Sequence, residues 1–191
     1  MGTLHATCPP LCAPGCVTWD DVAALEAHLR AELPRFALCY KDESRLQRLI
    51  AWLVWPFNRT YATRYTTVMF GKVYFPSRAW CDGCDAFALY SLLRHEAVHL
   101  RDMKRFPVVF HLSYLALLPA GLTARAFWEW RAYQETLRVH AEVYGEIPDW
   151  LLRTIEQRFT GPDYLFMWPF PKHIRQRLEA ARTRILAEVR R

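Results

Sequence analysis

Two histidines and a glutamate lie close together in the middle of the chain, in the pattern His95-Glu96-Ala97-Val98-His99. On an α-helix, residues four apart project from the same face, so His95 and His99 can offer two imidazole nitrogens to one ion. Glu96 lies one position along, close enough to take a proton from a water on that ion. This pattern is typical of zinc-dependent hydrolases.

A catalytic zinc ion usually takes three protein ligands and keeps one position open for water. The candidates for the third ligand follow the motif in the sequence: Asp102, Glu129 and Glu135. Asp102 shares the helical face of His95 and His99, and we expect it to orient His99 rather than to bind the ion. The residues alone leave Glu129 and Glu135 open as ligands on a later helix.

The motif lies in an apolar-periodic segment that predicts a helix from about residue 86 to residue 104. Most positions of this segment are apolar, so we expect the helix to be largely buried. Burying His95 and Glu96 without partners is costly, and a bound metal removes that cost.

A short β-rich stretch comes directly before this helix. Residues 65–70 and 73–75 are rich in β-branched and aromatic side chains, Gly71 separates them, and Pro76 ends the run. They predict a small sheet or hairpin, whose outer edge could take an extended peptide as an additional strand.

Helical patterns dominate the rest of the chain. Thr18 and Asp21 have the spacing of a capping box at the start of one helix, and Asp149 is expected to cap another. Further helices are predicted at about residues 18–32, 44–55, 123–144, 150–159 and 172–190. We therefore expect a mainly helical α+β fold, with an irregular Cys/Pro-rich tail at 1–17 and a single domain at 18–191.

Residues 106–122 are almost wholly apolar. A membrane-spanning helix needs about 20 residues, and this segment is shorter and contains Pro107 and Pro119. We expect a buried or interfacial helix here, which leaves peripheral contact with a membrane open.

The formal net charge is +6, and many cations lie near the C-terminus. We interpret them as a solvated helix face, because no nucleic-acid-binding motif accompanies them, and we expect no nucleic-acid partner. The N-terminus has neither the basic region nor the apolar region of a signal peptide, so we expect a cytoplasmic protein.

Six cysteines occur, at positions 8, 12, 16, 39, 81 and 84. The Cys81-x-x-Cys84 spacing suits a zinc knuckle or a redox pair, and the N-terminal thiols could complete a second metal site. A second C-x-x-C pair is absent from the sequence. A disulfide or free thiols are therefore the preferred interpretation.

The motif, followed about thirty residues later by Trp128-Glu129-Trp130-Arg131-Ala132, resembles the gluzincin branch of the zincin metallopeptidases. The resemblance covers roughly residues 60 to 145. In that branch the third ligand is a glutamate on a second helix, often in a Glu-x-x-Ala context. Glu129 fits this context and Glu135 does not. The family also places a β-strand just before the motif helix.

The resemblance implies a zinc-dependent metallopeptidase with one catalytic Zn²⁺ bound by His95, His99 and Glu129. Glu96 would act as general base on a metal-activated water and return the proton to the leaving amine. The oxyanion needs a further donor. Tyr133, His140 and Tyr144 are candidates, and Tyr133 is preferred because it lies four residues after Glu129.

The expected partner is a peptide or protein substrate, of undefined specificity. Two alternatives belong to other classes. One is a scaffold or interaction protein that binds zinc without turnover. The other is a membrane-associated factor that uses residues 106–122 and the basic C-terminus.

Overall fold

The computed structural model describes residues 16–56, 58–115, 120–161 and 166–191. These residues form a mainly helical structure with one small three-stranded sheet, as the sequence predicts. They divide into two compact units, Val17–Glu96 and Ala97–Arg191. The division falls within one long helix, α5 (Ala86–Arg105), which continues unbroken through it.

The first unit holds the sheet and several helices. Its elements before α5 are α1 (Trp19–Glu32), β1 (Leu38–Tyr40), α2 (Arg45–Val54), α3 (Tyr61–Arg64), β2 (Thr67–Met69), β3 (Lys72–Phe75) and α4 (Arg78–Asp82). The predicted capping box is confirmed, since the Thr18 hydroxyl accepts from the Asp21 amide and the Asp21 carboxylate accepts from the Thr18 amide. Both interactions satisfy amide groups that the start of α1 would leave without partners.

The predicted hairpin is also confirmed. Strands β2 and β3 are antiparallel, with Val68 opposite Val73, and Phe70 and Gly71 both adopt positive φ angles in the turn. A Cβ at Gly71 would lie 2.8 Å from the Cβ of Arg35, so the turn requires glycine for space as well as conformation. Strand β1, which was not predicted, pairs in parallel with β3 and makes it the central strand.

The second unit is built from helices. After α5 come α6 (Pro107–Leu115), α7 (Ala120–Tyr144), α8 (Asp149–Thr160) and α9 (Pro171–Val189). Buried apolar side chains of α7, α8 and α9, among them Leu137, Leu152, Ile155, Leu178 and Ile185, form one core. The patterns at 3.6-residue spacing therefore predicted α5, α7, α8 and α9 to within a few residues of their bounds.

Two local predictions for this unit need correction. Asp149 is the first residue of α8 and not its cap, and its carboxylate pairs with Arg182 at 2.6 Å. The apolar segment 106–122 was expected to form a buried or interfacial helix, and its described part α6 (Pro107–Leu115) is not buried throughout, because Val108, Val109 and Leu112 are exposed. In the described part of the chain, no helix combines the length and apolarity that crossing a bilayer requires.

Candidate metal centre

Three side chains from α5 and α7 converge on one point. One ligand atom from each of His95, His99 and Glu129 lies within 4.8 Å of the others. All three residues are buried, with 9%, 5% and 6% of their surfaces exposed. The structure thus brings together the two motif histidines and the glutamate named as third ligand. Asp102 and Glu135 lie outside this group.

The spacing of these atoms fits a zinc ion. His99 Nε2 lies 3.8 Å from Glu129 Oε2. Two ligands about 2 Å from zinc, at a tetrahedral angle, lie roughly 3.4 Å apart. The pair therefore needs only a small inward movement to close on an ion. Two imidazoles and a carboxylate also match the nitrogen and oxygen donors that catalytic zinc takes.

Helix geometry explains how the site is held. His95 and His99 are one turn apart on α5, so a single rigid element sets their separation. Glu129 lies well inside α7, next to the buried Trp128. The Trp128 indole packs 5.5 Å from the Phe110 ring and donates to the Ser113 hydroxyl at 2.9 Å. These contacts bind α7 to α6 at the residue that precedes Glu129.

Phe110 is a site residue that the sequence did not reveal. Its ring lies 6.1 Å from the His99 imidazole, and its side chain is buried. Phe110, which is buried on α6, therefore places an apolar ring next to a proposed ligand. The apolar segment after the motif was a visible feature of the sequence, but its pattern does not indicate which residue faces His99.

Asp102 does not have the role predicted for it. Its carboxylate is buried and accepts two hydrogen bonds from Arg131, with Nε at 2.9 Å from Oδ2 and Nη2 at 3.0 Å from Oδ1. Among the described residues, its side chain partner is thus Arg131 and not His99. The ion pair joins α5 to α7, with Asp102 three residues after His99 and Arg131 two residues after Glu129. Asp102 therefore helps to hold together the two helices that carry the proposed ligands.

Glu96, the predicted general base, is buried on α5. The first unit places a buried lysine, Lys41, close enough to interact electrostatically with it. Burial lowers the pKa of Lys41 to about 7, and the negative charge of Glu96 opposes this shift in part. The Lys41 ammonium donates to the Tyr61 carbonyl at 2.8 Å and lies 3.7 Å from the Tyr61 ring centroid. The lysine was not recognised from the sequence.

Tyr133 is half-buried on α7, and its ring lies 5.7 Å from that of Phe159 in the helical core. It follows Glu129 by four residues, which is about 6 Å along the helix axis. The ring therefore has a packing role. The role of the Tyr133 hydroxyl as an oxyanion donor stays a prediction.

The two other oxyanion candidates lie too far from the ligands. His140 and Tyr144 follow Glu129 on the same continuous helix by about 16 Å and 22 Å of axial rise. The His140 ring packs against Tyr144 and Trp150, and burial lowers its pKa. We therefore exclude both residues from the metal centre and assign His140 to core packing.

The cysteine pair does not form a second metal group in the described part of the chain. Cys81 and Cys84 are free thiols at the end of α4 and just after it. Burial raises the pKa of Cys81 to about 11 and also raises that of Cys84, so both stay protonated at neutral pH. Among the described residues, neither thiol belongs to a group of three or more possible metal ligands. Cys8 and Cys12 lie outside the described residues.

Comparison with known proteins gives no relative from which a role can be transferred: no family model, curated protein or solved structure matches this chain.

Proposed function

We propose that this chain is a zinc-dependent metallopeptidase with a zincin-like, gluzincin-type centre. The observation that carries the proposal is the convergence of the largely buried His95, His99 and Glu129, whose ligand atoms lie within 4.8 Å of one another. The His-Glu-x-x-His pattern and the Glu-x-x-Ala context of Glu129 support the same assignment from independent parts of the sequence.

The ligand set suits hydrolysis. Two neutral imidazoles and one carboxylate would leave a divalent ion with net positive charge and an open coordination position. A zinc ion held there supplies an activated water and polarises a carbonyl oxygen. Phe110 shields His99 from solvent, which strengthens electrostatic interactions inside the centre.

Glu96 is the residue assigned to proton transfer. It accepts a proton from the attacking water and delivers it to the leaving amine. Its position directly after His95 places it on the same turn of α5 as a proposed ligand. In its protonated form, buried Lys41 interacts favourably with the ionised Glu96 carboxylate.

The substrate in this proposal is a peptide or protein. The sheet supports it, because β3 is central and β1 and β2 form the outer strands in the described part of the chain. An outer strand presents backbone amide and carbonyl groups to which an extended peptide can add. The hydrolysis of other amides or esters would use the same centre, so the bond cleaved must be measured.

The test compares two isosteric variants. Glu96→Gln should abolish cleavage of unfolded casein or a peptide library while keeping one zinc per chain. Glu135→Gln is the matched control, because it changes a helical glutamate near Glu129 that lies outside the ligand group. This control should retain both zinc and cleavage.

Two outcomes would overturn the proposal. Cleavage that survives Glu96→Gln would mean that another group transfers the proton. A wild-type protein that binds zinc but cleaves no peptide would instead be the scaffold considered above.

A further inference from the structure

Helix α2 turns its apolar side chains outward. Leu49, Leu53 and Trp52 are exposed, Trp52 with 73% of its surface, and Leu46 and Trp55 extend the same surface. These five residues, Leu46, Leu49, Trp52, Leu53 and Trp55, are called the α2 face below. A solvent-exposed helix normally presents polar residues to water and buries the apolar ones, so the orientation needs an explanation.

A polar residue holds the helix from the inner side. Gln47 is the buried residue of α2, and it is fully enclosed. Its Oε1 accepts from the Tyr61 hydroxyl at 2.7 Å, and its Nε2 lies 3.9 Å from the Met69 sulfur. The Tyr61 ring and carbonyl in turn contact Lys41. Buried hydrogen bonds of this kind are costly to break, so they fix the outward orientation of the leucines.

The charged residues on α2 and along the segment that follows it are all cations, whereas the exposed Asp42 and Glu43 precede the helix. The sequence contains no acidic residue between Glu43 and Asp82, and the cations in this interval are Arg45, Arg48, Arg59, Arg64, Lys72 and Arg78. Arg45 and Arg48 are exposed on α2, and each lies one helical turn before an apolar residue of the α2 face, Leu49 and Trp52 respectively. The Arg59 guanidinium lies 4.8 Å from the Trp55 ring centroid. The surface therefore combines leucine, tryptophan and arginine.

We infer that the α2 face docks the protein on an anionic lipid bilayer. The interface of a bilayer accepts leucine among the acyl chains, tryptophan at the headgroup level and arginine at the lipid phosphates. A nucleic acid would supply phosphates but no apolar phase for Leu49 and Leu53. A second copy packed face to face would bury Arg45 and Arg48 against a helix that carries no acidic residue.

The inference does not depend on the metal centre. It concerns peripheral binding by α2 in the first unit, whereas residues 106–122 formed the membrane segment considered from the sequence. Helix α6 provides an internal comparison, because Leu112 and Leu53 are exposed to similar extents, 59% and 57%.

The experiment is co-sedimentation of the full chain with two kinds of vesicle, phosphatidylcholine alone and an equal mixture of phosphatidylcholine and phosphatidylglycerol. Wild-type protein should bind the anionic vesicles and leave the neutral ones largely unbound. Leu49→Asp/Leu53→Asp should weaken binding about tenfold or more, since it places charge in the apolar layer. Arg45→Gln/Arg48→Gln should weaken it by a similar factor and reduce its dependence on salt.

Two controls separate docking from other effects. Leu112→Asp on α6 should bind like wild type, and so should Glu96→Gln, whose change lies in the proposed catalytic base. Far-UV circular dichroism should show unchanged helix content in the leucine and arginine variants, because those side chains are exposed, and in Glu96→Gln, because that change keeps the size of the buried side chain.

Several results would overturn the inference. The wild-type chain could fail to bind anionic vesicles, or binding could survive both α2 variants and disappear with Leu112→Asp. Sedimentation velocity could show a dimer that Leu49→Asp/Leu53→Asp dissociates, with no vesicle binding, which would assign the face to a second copy. Binding to duplex or single-stranded DNA in place of vesicles would assign it to nucleic acid.

Discussion

Arg131 donates two parallel hydrogen bonds to Asp102, at 2.9 Å and 3.0 Å, and so joins the two helices that carry the proposed metal ligands. The two partners differ in exposure, since the Asp102 side chain is 3% exposed and that of Arg131 is 43% exposed. Removing the arginine leaves a buried carboxylate, whereas removing the carboxylate's charge leaves an arginine that water can solvate.

This asymmetry predicts different costs for the two halves of the pair. Arg131→Met should lower the free energy of unfolding by about 2 kcal/mol, a figure reduced from that of a fully buried pair because of solvent screening. Asp102→Asn should cost about 1 kcal/mol. Urea unfolding at neutral pH measures both. Equal losses, or a larger loss for Asp102→Asn, would contradict the burial asymmetry.

Phe110 should be the residue of α6 that matters for the metal centre. Phe110→Ala should cost about 3 kcal/mol of unfolding free energy through the cavity it leaves, and should weaken zinc binding about tenfold because His99 loses its neighbour. The adjacent Val109→Ala is the control, and because Val109 is exposed it should change stability by less than about 0.5 kcal/mol. Competition with a zinc chelator measures the affinity, and unchanged affinity in Phe110→Ala would remove its role at the centre.

The buried Lys41 predicts a pH dependence of stability. Its pKa is about 7 in the folded protein and near 10.5 when unfolded, so between these values the unfolded chain binds more protons. Stability should therefore rise as pH increases from about 7 to about 10.5, by roughly 3–5 kcal/mol from this group. Lys41→Met should remove that rise. Urea unfolding of both proteins across this range tests it, since other titrating groups are common to the two, and parallel curves would refute the prediction.

Tyr133 and Tyr144 give a matched test of the oxyanion donor. If the Tyr133 hydroxyl stabilises the oxyanion, Tyr133→Phe should lower kcat by about 10²-fold while zinc content stays at one per chain. Tyr144→Phe should leave kcat unchanged, because Tyr144 lies about 22 Å along α7 from Glu129. Full activity in Tyr133→Phe would exclude the Tyr133 hydroxyl as the oxyanion donor.

Local sequence patterns predicted much of this architecture. The four-residue spacing of His95 and His99 is enough to place both on one helical face, since α-helix geometry determines it. The Thr18 capping box and the turn at Gly71 likewise depend on residues close in sequence. Glu129 needed more than local pattern: its Glu-x-x-Ala context favoured it over Glu135, and α7 does bring it to His99 at 3.8 Å.

Features that depend on contacts between distant residues were not predictable in this way. Strand β1 has three residues and forms only because β3 pairs with it, so its own pattern is too short to identify it. Asp102 was misassigned because its partner Arg131 lies 29 residues away. The apolar positions of α2 are periodic and predict a helix correctly, but periodicity alone implies that this face is buried.

Zinc content of the purified protein tests the central claim most directly. Elemental analysis after zinc loading and gel filtration should give one zinc per chain for wild type, Glu96→Gln and Glu135→Gln. It should give no retained zinc for His95→Ala, His99→Ala or Glu129→Gln, with helix content by circular dichroism confirming that each variant is folded. Wild-type protein without stoichiometric zinc, or His95→Ala and Glu129→Gln proteins that keep it, would contradict the metal centre described here.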